Sequence, residues 1–385
     1  MTSISFETKR LGSRARLEVD VTEDPSAVDR EWRGLEVEGL CAPYQRAAWA
    51  SQWYRHVCPV TGQKPAIVTI RQDNSLACLL PLVVSRVGPV RVLGFAGGDH
   101  SNINLPVIAS HCLQTLGAQD FLAAMKEAAR SLRVDLCDLR RQPARWEKWV
   151  NPLAAVGTYK TERMSILKLD DARDGSPPPD LSKATRRKFS QKQKWLDEIG
   201  TSAYRRVTDV GEVAETLDVF YEQKHDRLSA QRIDNPFIKP GIRAFLLAVA
   251  TADLEVGHPG MDLFTLTSGG KTVAVFGGCV SRNRLSGSII SFDGDSAFSR
   301  CSPGELLALH VIKDAWINKL EIFDLGAGND AYKSRFCNEH EELVSTYLPI
   351  SALGYAMASL QSLTRRGKRY ARSIRATAER VFQKV

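Results

Sequence analysis

The same order of predicted elements occurs twice in this chain of 385 residues, and this repetition constrains its fold more than any other feature. In the first copy, PAIVTIRQ and SLACLLPLVVSRV predict two strands joined by a polar turn, and VRVLGF predicts a third. A polar stretch then leads to a helix at about 113–132 and to the strand VDLCDL. In the second copy, MDLFTLTS and KTVAVFGGCVSR are joined by Gly269-Gly270, a hairpin signal. RLSGSIISFD, a helix over 303–318 and the strand LEIFDL follow in the same order.

Helices are predicted before each copy, at about 24–38 and 43–57 in the first and at 181–199 and 210–228 in the second. Identity between the copies is low, so the duplication rests on the pattern of elements alone. We expect an α+β, or mixed α/β, unit that is used twice. Each unit has a mostly antiparallel sheet and one parallel crossing through its long helix.

The segment ARDGSPPPDLS, residues 172–182, predicts the boundary between the two units, because consecutive prolines beside Gly, Ser and Asp favour a loop. A length of 385 residues also favours two domains. The predicted domains are 1–172 and 173–355, followed by a basic helix over 356–385.

The net charge of +8 is concentrated near the C-terminus, where residues 361–385 contain eight Lys or Arg and one acid, Glu379. Apolar residues alternate with these arginines, so the segment could form an amphipathic helix that contacts an anionic membrane surface. A helix packed on its own domain fits equally well. A second basic cluster lies within 183–194. It predicts contact with a membrane, a nucleic acid or a phosphorylated ligand, or else a solvated helix face.

Several classes of protein are disfavoured by the sequence. No apolar run approaches the ~20 residues that cross a bilayer, and the N-terminus lacks the apolar centre of a secretory signal. The eight cysteines are scattered without Cys-x-x-Cys spacing, and no His-x-x-x-His pair occurs. We therefore expect reduced thiols and no metal. The expected location is the cytoplasm, with the inner face of the membrane as the alternative.

The start of the helix at 303 is predicted to face a ligand. Ser302 is a suitable N-cap, Pro303 suits the first turn, and Glu305 completes a capping-box pattern. Unpaired N–H groups at a helix N-terminus beside a strand end are suited to phosphate. An ordinary capped helix is the alternative.

The residues from Ser302 to Phe336 resemble the C-terminal signature of the acetyltransferase-like group typified by CelD/BcsL proteins. That group lies in the GNAT superfamily and is related to the FemABX peptidyl transferases. The resemblance is carried by these elements: Ser302-Pro303-Gly304, Asp324-x-Gly326-x-Gly328, Tyr332-Lys333 and Phe336, with YEQKHDRL (221–228) and ATRRKFSQKQKWL (184–196) upstream. It covers most of 160–350, whereas the first unit matches only in layout.

The resemblance implies a tandem of two GNAT-like domains, with an acyl donor, usually acyl-CoA such as acetyl-CoA, bound in the second. The chain departs from the family pattern at the pyrophosphate loop, where Arg300-Cys301-Ser302-Pro303-Gly304 contains a single glycine. FemABX proteins use aminoacyl-tRNA as the donor, for which the basic clusters would be suited.

The resemblance also assigns roles to residues. A backbone N–H of the strand 285–292 would bind the oxyanion, and Tyr332 would protonate the leaving thiolate. Asp324 or Asp293 would be the base. Asp324 could instead stabilise the glycine loop as an Asx-type turn residue. Tyr332 could instead be a buried tyrosine whose hydroxyl is hydrogen-bonded to the backbone. Donor contacts are expected from Ser302, Gly304, Glu305 and Lys333, and acceptor contacts from His225, Arg227, Gly326 and Gly328. Lys333 could instead be solvated or pair with Asp324, and His310 is expected in the core.

The sequence therefore predicts an acyltransferase that moves an acyl group, expected to be acetyl, from CoA to an amine or hydroxyl. The resemblance alone indicates a cell-envelope sugar, polysaccharide or precursor as the acceptor. Two alternatives remain: FemABX-like aminoacyl transfer from charged tRNA, and a GNAT-like scaffold without catalysis.

Overall fold

The computed structural model describes residues 2–7, 16–155, 158–169, 181–327 and 333–360. The strands are β1 Thr2–Glu7, β2 Arg16–Thr22, β3 Lys64–Gln72, β4 Ser75–Val87, β5 Val90–Phe95, β6 Val107–Ile108, β7 Leu136–Pro143, β8 Arg145–Trp146, β9 Trp149–Val150, β10 Thr158–Lys168, β11 Ser202–Arg206, β12 Asp262–Ser268, β13 Lys271–Ser281, β14 Arg284–Phe292, β15 Ile322–Ala327 and β16 Glu339–Pro349. The helices are α1 Asp29–Glu38, α2 Ala47–His56, α3 Cys58–Thr61, α4 Ala118–Ser131, α5 Lys183–Ile199, α6 Val210–Ala230, α7 Ile242–Thr251, α8 Ser296–Ser299 and α9 Pro303–Ile317.

One continuous sheet runs through both halves of the chain, in the order β1-β2-β3-β4-β5-β7-β16-β10-β15-β14-β13-β12-β11, with β6 paired to β4. Its pairs are antiparallel except for β5 with β7 and β14 with β15, which are parallel. Each parallel pair is connected through a long helix, α4 in the first half and α9 in the second. The predicted mixed α/β fold, with a unit used twice, is confirmed.

The two halves exchange strands at the centre of the sheet. β10 follows the first copy in the chain, yet it pairs with β15 of the second copy. β16 follows the second copy, yet it pairs with β7 of the first. β10 and β16 also pair with each other, so the two halves share one hydrogen-bonded sheet. The boundary predicted at 172–182 lies mostly outside the described residues.

Helices cover the second half of the sheet on both faces. One face packs against α5 and α9 in a core that includes Phe189, Leu307 and Phe323. The other face packs against α6 and α7, whose core is continuous with that of the first half. There Phe245 of α7 meets Trp49 and Trp53 of α2, with ring centroids 4.9 and 5.1 Å apart. These edge-to-face contacts join the two halves.

Several sequence predictions need correction in their bounds. The helix predicted at 24–38 begins at Asp29, and the helix predicted at 113–132 begins at Ala118. The strands β1, β2, β10, β11 and β16 and the helix α7 were not predicted. All eight cysteines are free and buried, in agreement with the expected reduced thiols. His310, expected in the core, is half-buried and stacks on Tyr204 with centroids 5.0 Å apart.

Candidate active site

The strands β14 and β15 separate from each other in the middle of the second half. Their parallel pairing covers only Arg284 to Ser286 on β14, although β14 continues to Phe292. On the other side of β14, Gly287 pairs with Gly278 and Ile289 with Gly277, so Ser288 forms a β-bulge against β13. A bulge bends a strand and increases its twist. The bulge therefore lies where β14 leaves β15.

The edge of β14 beyond the bulge faces the space that β15 has left. The N–H of Asp293 donates to the carbonyl of Val273, towards β13. Because backbone groups alternate along a strand, the N–H and carbonyl of Ile290 point the opposite way. The carbonyl oxygen of Ile290 accepts a hydrogen bond from Lys224 Nζ at 3.2 Å. The neighbouring N–H of Ile290 is suited to binding an oxyanion.

A cavity of about 380 Å³ lies where β14 ends and α9 begins. It is lined by Arg227, Ile290, Phe292, Asp293, Gly294, Asp295, Phe298, Ser299, Ser302, Pro303, Gly304 and Glu305. Pro303 has no N–H, and the N–H groups of Glu305 and Leu306 donate to the carbonyl of Ser302. The first turn of α9 therefore presents the N–H of Gly304 and the partial positive charge of the helix N-terminus here. Five residues predicted to contact donor or acceptor, or to act as the base, line this one cavity: Ser302, Gly304, Glu305, Arg227 and Asp293.

The predicted capping box at this helix start is wrong. Ser302 is the N-cap residue, but it adopts a left-handed conformation with φ of 50° and its side chain makes no capping hydrogen bond. Glu305 instead accepts a hydrogen bond from Lys192 Nζ at 2.6 Å and pairs with Arg335. The two cations hold the Glu305 side chain towards α5. The left-handed backbone at Ser302 is sterically unfavourable for a non-glycine residue, and such residues concentrate at functional sites.

Gly304 allows α9 to approach β14 closely. A Cβ atom at this position would lie 2.9 Å from Cδ1 of Phe292, which is too close for an ordinary contact. The Arg227 guanidinium stacks over the same Phe292 ring, 4.8 Å from its centroid. The wall of the cavity therefore combines an aromatic ring, a cation and a helix N-terminus.

A second, basic cleft of about 540 Å³ adjoins this cavity through Glu305. Its lining residues come from α5 and the two residues before it, from α9 and from the turn at 333–335: Leu181, Ser182, Thr185, Lys188, Phe189, Lys192, Glu305 and Arg335. On the same helix Lys183, Arg186, Arg187 and Lys188 are exposed. Together the cavity and the cleft provide an apolar compartment beside a cationic one, a combination suited to an anionic ligand with an apolar arm.

Asp293 lines the cavity and forms an ion pair with Lys271, with Oδ2 and Nζ 2.7 Å apart. Burial raises its pKa, but the hydrogen bonds from Lys271 and from the backbone N–H of Asp295 outweigh this effect and lower it. Asp293 is therefore ionised at neutral pH and can accept a proton.

Asp324 is fully buried and lies outside the cavity. Its Oδ2 accepts from Arg284 Nε at 2.7 Å, and its Oδ1 accepts from Ser286 Oγ and from the N–H of Gly326, both at 2.9 Å. Arg284 in turn pairs with Glu341 at 3.2 Å and stacks over the Trp146 ring. With both carboxylate oxygens occupied, the geometry favours a structural role for Asp324 over that of a base.

The first half contributes two residues to the point where β14 and β15 separate. Asn102 Nδ2 donates to the carbonyl of Gly287 at 2.9 Å, and its Oδ1 accepts from the N–H of Ala327 at 3.3 Å. The side chain thus spans from β14 to β15. Tyr44, which is fully buried, has its hydroxyl 3.0 Å from Ser286 Oγ. Neither residue was predicted from the sequence. The only sequence signal was the polar stretch after VRVLGF, which contains Asn102.

Three further predicted residues, His225, Lys333 and Gly326, lie outside the cavity. His225 is exposed on α6. Lys333 is buried, and its Nζ donates to the carbonyls of Gly326 and Ala327 at 3.2 and 3.0 Å. Gly326 has φ of 76° at the end of β15. Tyr332 and Gly328 lie outside the described residues, so their predicted roles stay predictions. In the part of the chain that the structure describes, no group of His, Cys, Asp or Glu is placed to bind a metal.

Residues 183–334 match the model of the family described as the acetyltransferase (GNAT) domain. The matched segment, which contains the separated strands and the cavity, is therefore similar to a GNAT acetyltransferase domain. Among curated protein sequences, none matches the chain. In the described residues no helix is both long and apolar enough to span a bilayer.

Solved structures with a similar fold extend over both halves. FemX is 12% identical, with 86% of this chain and 97% of that chain covered and a TM-score of 0.59. The C-terminal domain of a lysylphosphatidylglycerol synthetase from Agrobacterium fabrum is 13% identical, with 88% and 96% covered and a TM-score of 0.52. A conserved protein of unknown function from Bacteroides thetaiotaomicron is 11% identical, with 85% and 99% covered and a TM-score of 0.51. At these identities the likeness shows the fold alone.

Proposed function

We propose that the protein transfers an acyl group, expected to be acetyl, from acyl-CoA to an amine or hydroxyl of an acceptor. The observation that carries this proposal is the cavity at the start of α9, at the end of the separated strand β14. The diphosphate of CoA would contact the N-terminus of α9, and the pantetheine arm would run along the open edge of β14 towards Ile290. The adjoining basic cleft would receive the remaining phosphate.

The chemistry follows from that placement. The acceptor nitrogen or oxygen attacks the thioester carbonyl, and the N–H of Ile290 stabilises the oxyanion. The carbon–sulfur bond then breaks, and the thiolate takes a proton from Tyr332, the acid proposed for this step. Asp293 is the proposed base for the proton that the acceptor loses, because it lines the cavity whereas Asp324 does not.

The acceptor is proposed to approach between the two halves, where Tyr44 and Asn102 reach the separated strands. A cell-envelope sugar, polysaccharide or precursor as the acceptor is supported by the resemblance of 302–336 to CelD/BcsL proteins. The basic segment 361–385, outside the described residues, is proposed to bring the protein to an anionic membrane surface.

Isothermal titration calorimetry tests the donor. We expect acetyl-CoA to bind the folded protein, and Arg227→Met to weaken that binding. Absence of binding at millimolar acetyl-CoA would exclude the proposal. Glu215→Gln on the exposed surface of α6 is a control that should bind normally.

Aminoacyl transfer from charged tRNA is the second candidate, favoured by the exposed cations of α5 beside the cleft. It predicts tRNA binding that weakens steeply between 50 and 200 mM salt, on the order of 10³-fold for six or more phosphate contacts. A non-catalytic scaffold is tested in cells: Asp293→Asn and Tyr332→Phe would then leave product formation unchanged while deletion of the whole protein abolishes it.

A further inference from the structure

The helix α6 places two cations along the opening between β14 and β15. Lys224 Nζ donates to the carbonyl of Ile290 at 3.2 Å. About one turn further along the helix, the Arg227 guanidinium stacks over the Phe292 ring, 4.8 Å from its centroid. Ile290 and Phe292 are the residues beyond the bulge whose backbone groups point away from β13. Each of the two cations therefore contacts one of the residues that face the opening.

These side chains reach the opening from the face of the sheet that is opposite to α9. α6 packs in the core that is continuous with the first half, whereas α9 packs in the other core. Phe292 belongs to that other core, where it lies against Gly304. Arg227 nevertheless lines the cavity at the start of α9. The side chains of α6 therefore extend through the gap that β15 leaves beside β14.

The position of Lys224 is fixed by contacts of its own and of its neighbour in the chain. Gln223 Oε1 accepts from Ser291 Oγ at 2.8 Å, and Gln223 Nε2 donates to the carbonyl of Thr272 on β13 at 3.1 Å. The Lys224 ammonium also lies 5.6 Å from the centre of the Phe237 ring, within the range of a cation–π contact. Together these contacts preorganise the ammonium at Ile290, which is what electrostatic stabilisation of a reaction requires.

The Lys224 ammonium and the N–H of Ile290 lie on the same edge of β14. In an extended strand the N–H and the carbonyl of one residue point to the same side, and Lys224 contacts that carbonyl. An oxygen that accepts from the N–H of Ile290 lies about 2.9 Å from the nitrogen. Such an oxygen is therefore placed beside the Lys224 ammonium as well.

We propose that Lys224 is a catalytic residue of the acyl transfer, with its ammonium group stabilising the oxyanion together with the N–H of Ile290. This inference rests on the proposed function, because it requires the thioester carbonyl to lie at Ile290. When the acceptor attacks, an electron pair of the carbonyl moves onto its oxygen, and the ammonium stabilises that charge while keeping its proton. The carbonyl re-forms as the carbon–sulfur bond breaks, and the thiolate takes its proton from the acid proposed above.

The contribution of Lys224 should be larger for a charged oxygen than for a neutral one. Hydrogen bonds from a cation are stronger when the acceptor is ionised. An interaction that strengthens as the oxyanion forms increases the rate of transfer more than the affinity for the donor. Two CoA derivatives of similar shape separate these effects: S-carboxymethyl-CoA carries a carboxylate where S-acetonyl-CoA carries a neutral methyl ketone.

Isothermal titration calorimetry of the full chain with these two compounds is the test. We expect S-carboxymethyl-CoA to bind roughly tenfold more tightly than S-acetonyl-CoA. Lys224→Met should abolish this preference while leaving the affinity for S-acetonyl-CoA unchanged, and Lys224→Arg should retain most of it. Lys313→Met, which removes an exposed lysine of α9, is the matched control and should retain it fully.

The outcomes separate this inference from the proposed function. Equal affinity for the two compounds, or a preference that Lys224→Met does not alter, would overturn the role of Lys224 and leave donor binding intact. If neither compound binds the folded protein, the proposed function fails and the role of Lys224 fails with it.

Discussion

Asn102 of the first half donates a hydrogen bond from its side-chain amide to the carbonyl of Gly287 in the second half, at 2.9 Å. The same side chain accepts from the N–H of Ala327, so it bridges the two strands at the point where they separate. A residue of one half therefore fixes the width of the gap in the other. The first half is part of the active site under the proposed function, rather than an appended copy.

Replacing Asn102 tests this bridge. Asn102→Ala leaves the carbonyl of Gly287 and the N–H of Ala327 without this partner, which costs about 1–3 kcal/mol of stability. We expect acetyl-CoA hydrolysis or transfer to fall at least tenfold, while acetyl-CoA affinity measured by calorimetry changes less than threefold. Asn318→Ala, which removes an exposed amide from the end of α9, is the control for urea unfolding. Unchanged turnover in Asn102→Ala would contradict the positioning role.

The close approach of α9 to β14 makes Gly304 sensitive to a single methyl group. In Gly304→Ala the new Cβ, 2.9 Å from Phe292 Cδ1, forces the ring towards the cavity. We expect acetyl-CoA affinity to fall about tenfold, or ~1.4 kcal/mol, with little loss of stability, since alanine favours the helix. Gly34→Ala on α1 has open space around it and is the matched control. Unchanged donor affinity in Gly304→Ala would argue against donor binding here.

Asp324 and Arg284 form a buried ion pair, and its role can be separated from catalysis. Asp324→Asn leaves the Arg284 guanidinium with a weakened partner, at a cost of about 3 kcal/mol or more in the free energy of unfolding. The exposed pair of Arg33 with Asp253 provides the control, because Asp253→Asn should cost less than about 1 kcal/mol. Normal stability with abolished turnover in Asp324→Asn would instead identify Asp324 as the base.

His100 makes stability depend on pH. Its ring lies 5.4 Å from that of Phe237, and burial lowers its pKa to about 4. The unfolded chain binds a proton below pH 6.5 that the folded chain excludes. The contribution of neutral His100 to the free energy of unfolding is therefore complete above pH 6.5. It is lost as the pH drops towards 4, and it amounts to about 3 kcal/mol at most.

Urea unfolding between pH 4 and 7 measures this dependence. His100→Gln should flatten the stability profile, whereas His111→Gln, at an exposed position, should leave it as in the parent protein. A profile that His100→Gln does not change would show that the folded protein accepts the proton.

Asp293 should titrate at higher pH when its cation is removed. Burial raises its pKa, and the hydrogen bond from Lys271 is the strongest effect that lowers it. Lys271→Met should therefore raise the pKa of Asp293, observable by carboxyl NMR. If Asp293 is the base, the acidic limb of the pH–rate profile should move upwards in the same variant. A limb that stays in place would assign the base to another residue.

The sequence predicted the repeated strands and helices well, because their apolar runs reflect burial against a local core. It did not predict the exchange of β10 and β16. Both strands carry charged residues along their length, and their choice of partner depends on the whole sheet. A local sequence pattern predicts that a strand forms, but it does not determine which strand pairs with it.

The candidate site was likewise predicted only where local sequence identifies its residues. Gly304 and Asp293 were identified from their position next to a helix start and a strand end, which is local information. The capping box failed because Glu305 meets Lys192, far away in the chain, and Arg335. Asn102 was missed because its partners on β14 and β15 lie 185 and 225 residues away in the chain.

A crystal structure of the protein with acetyl-CoA tests the central claim most directly. The account predicts the diphosphate against the first turn of α9 at Gly304 and Glu305, and the thioester carbonyl within hydrogen-bonding distance of the N–H of Ile290. Acetyl-CoA bound elsewhere on the protein, with this cavity filled only by water, would contradict it.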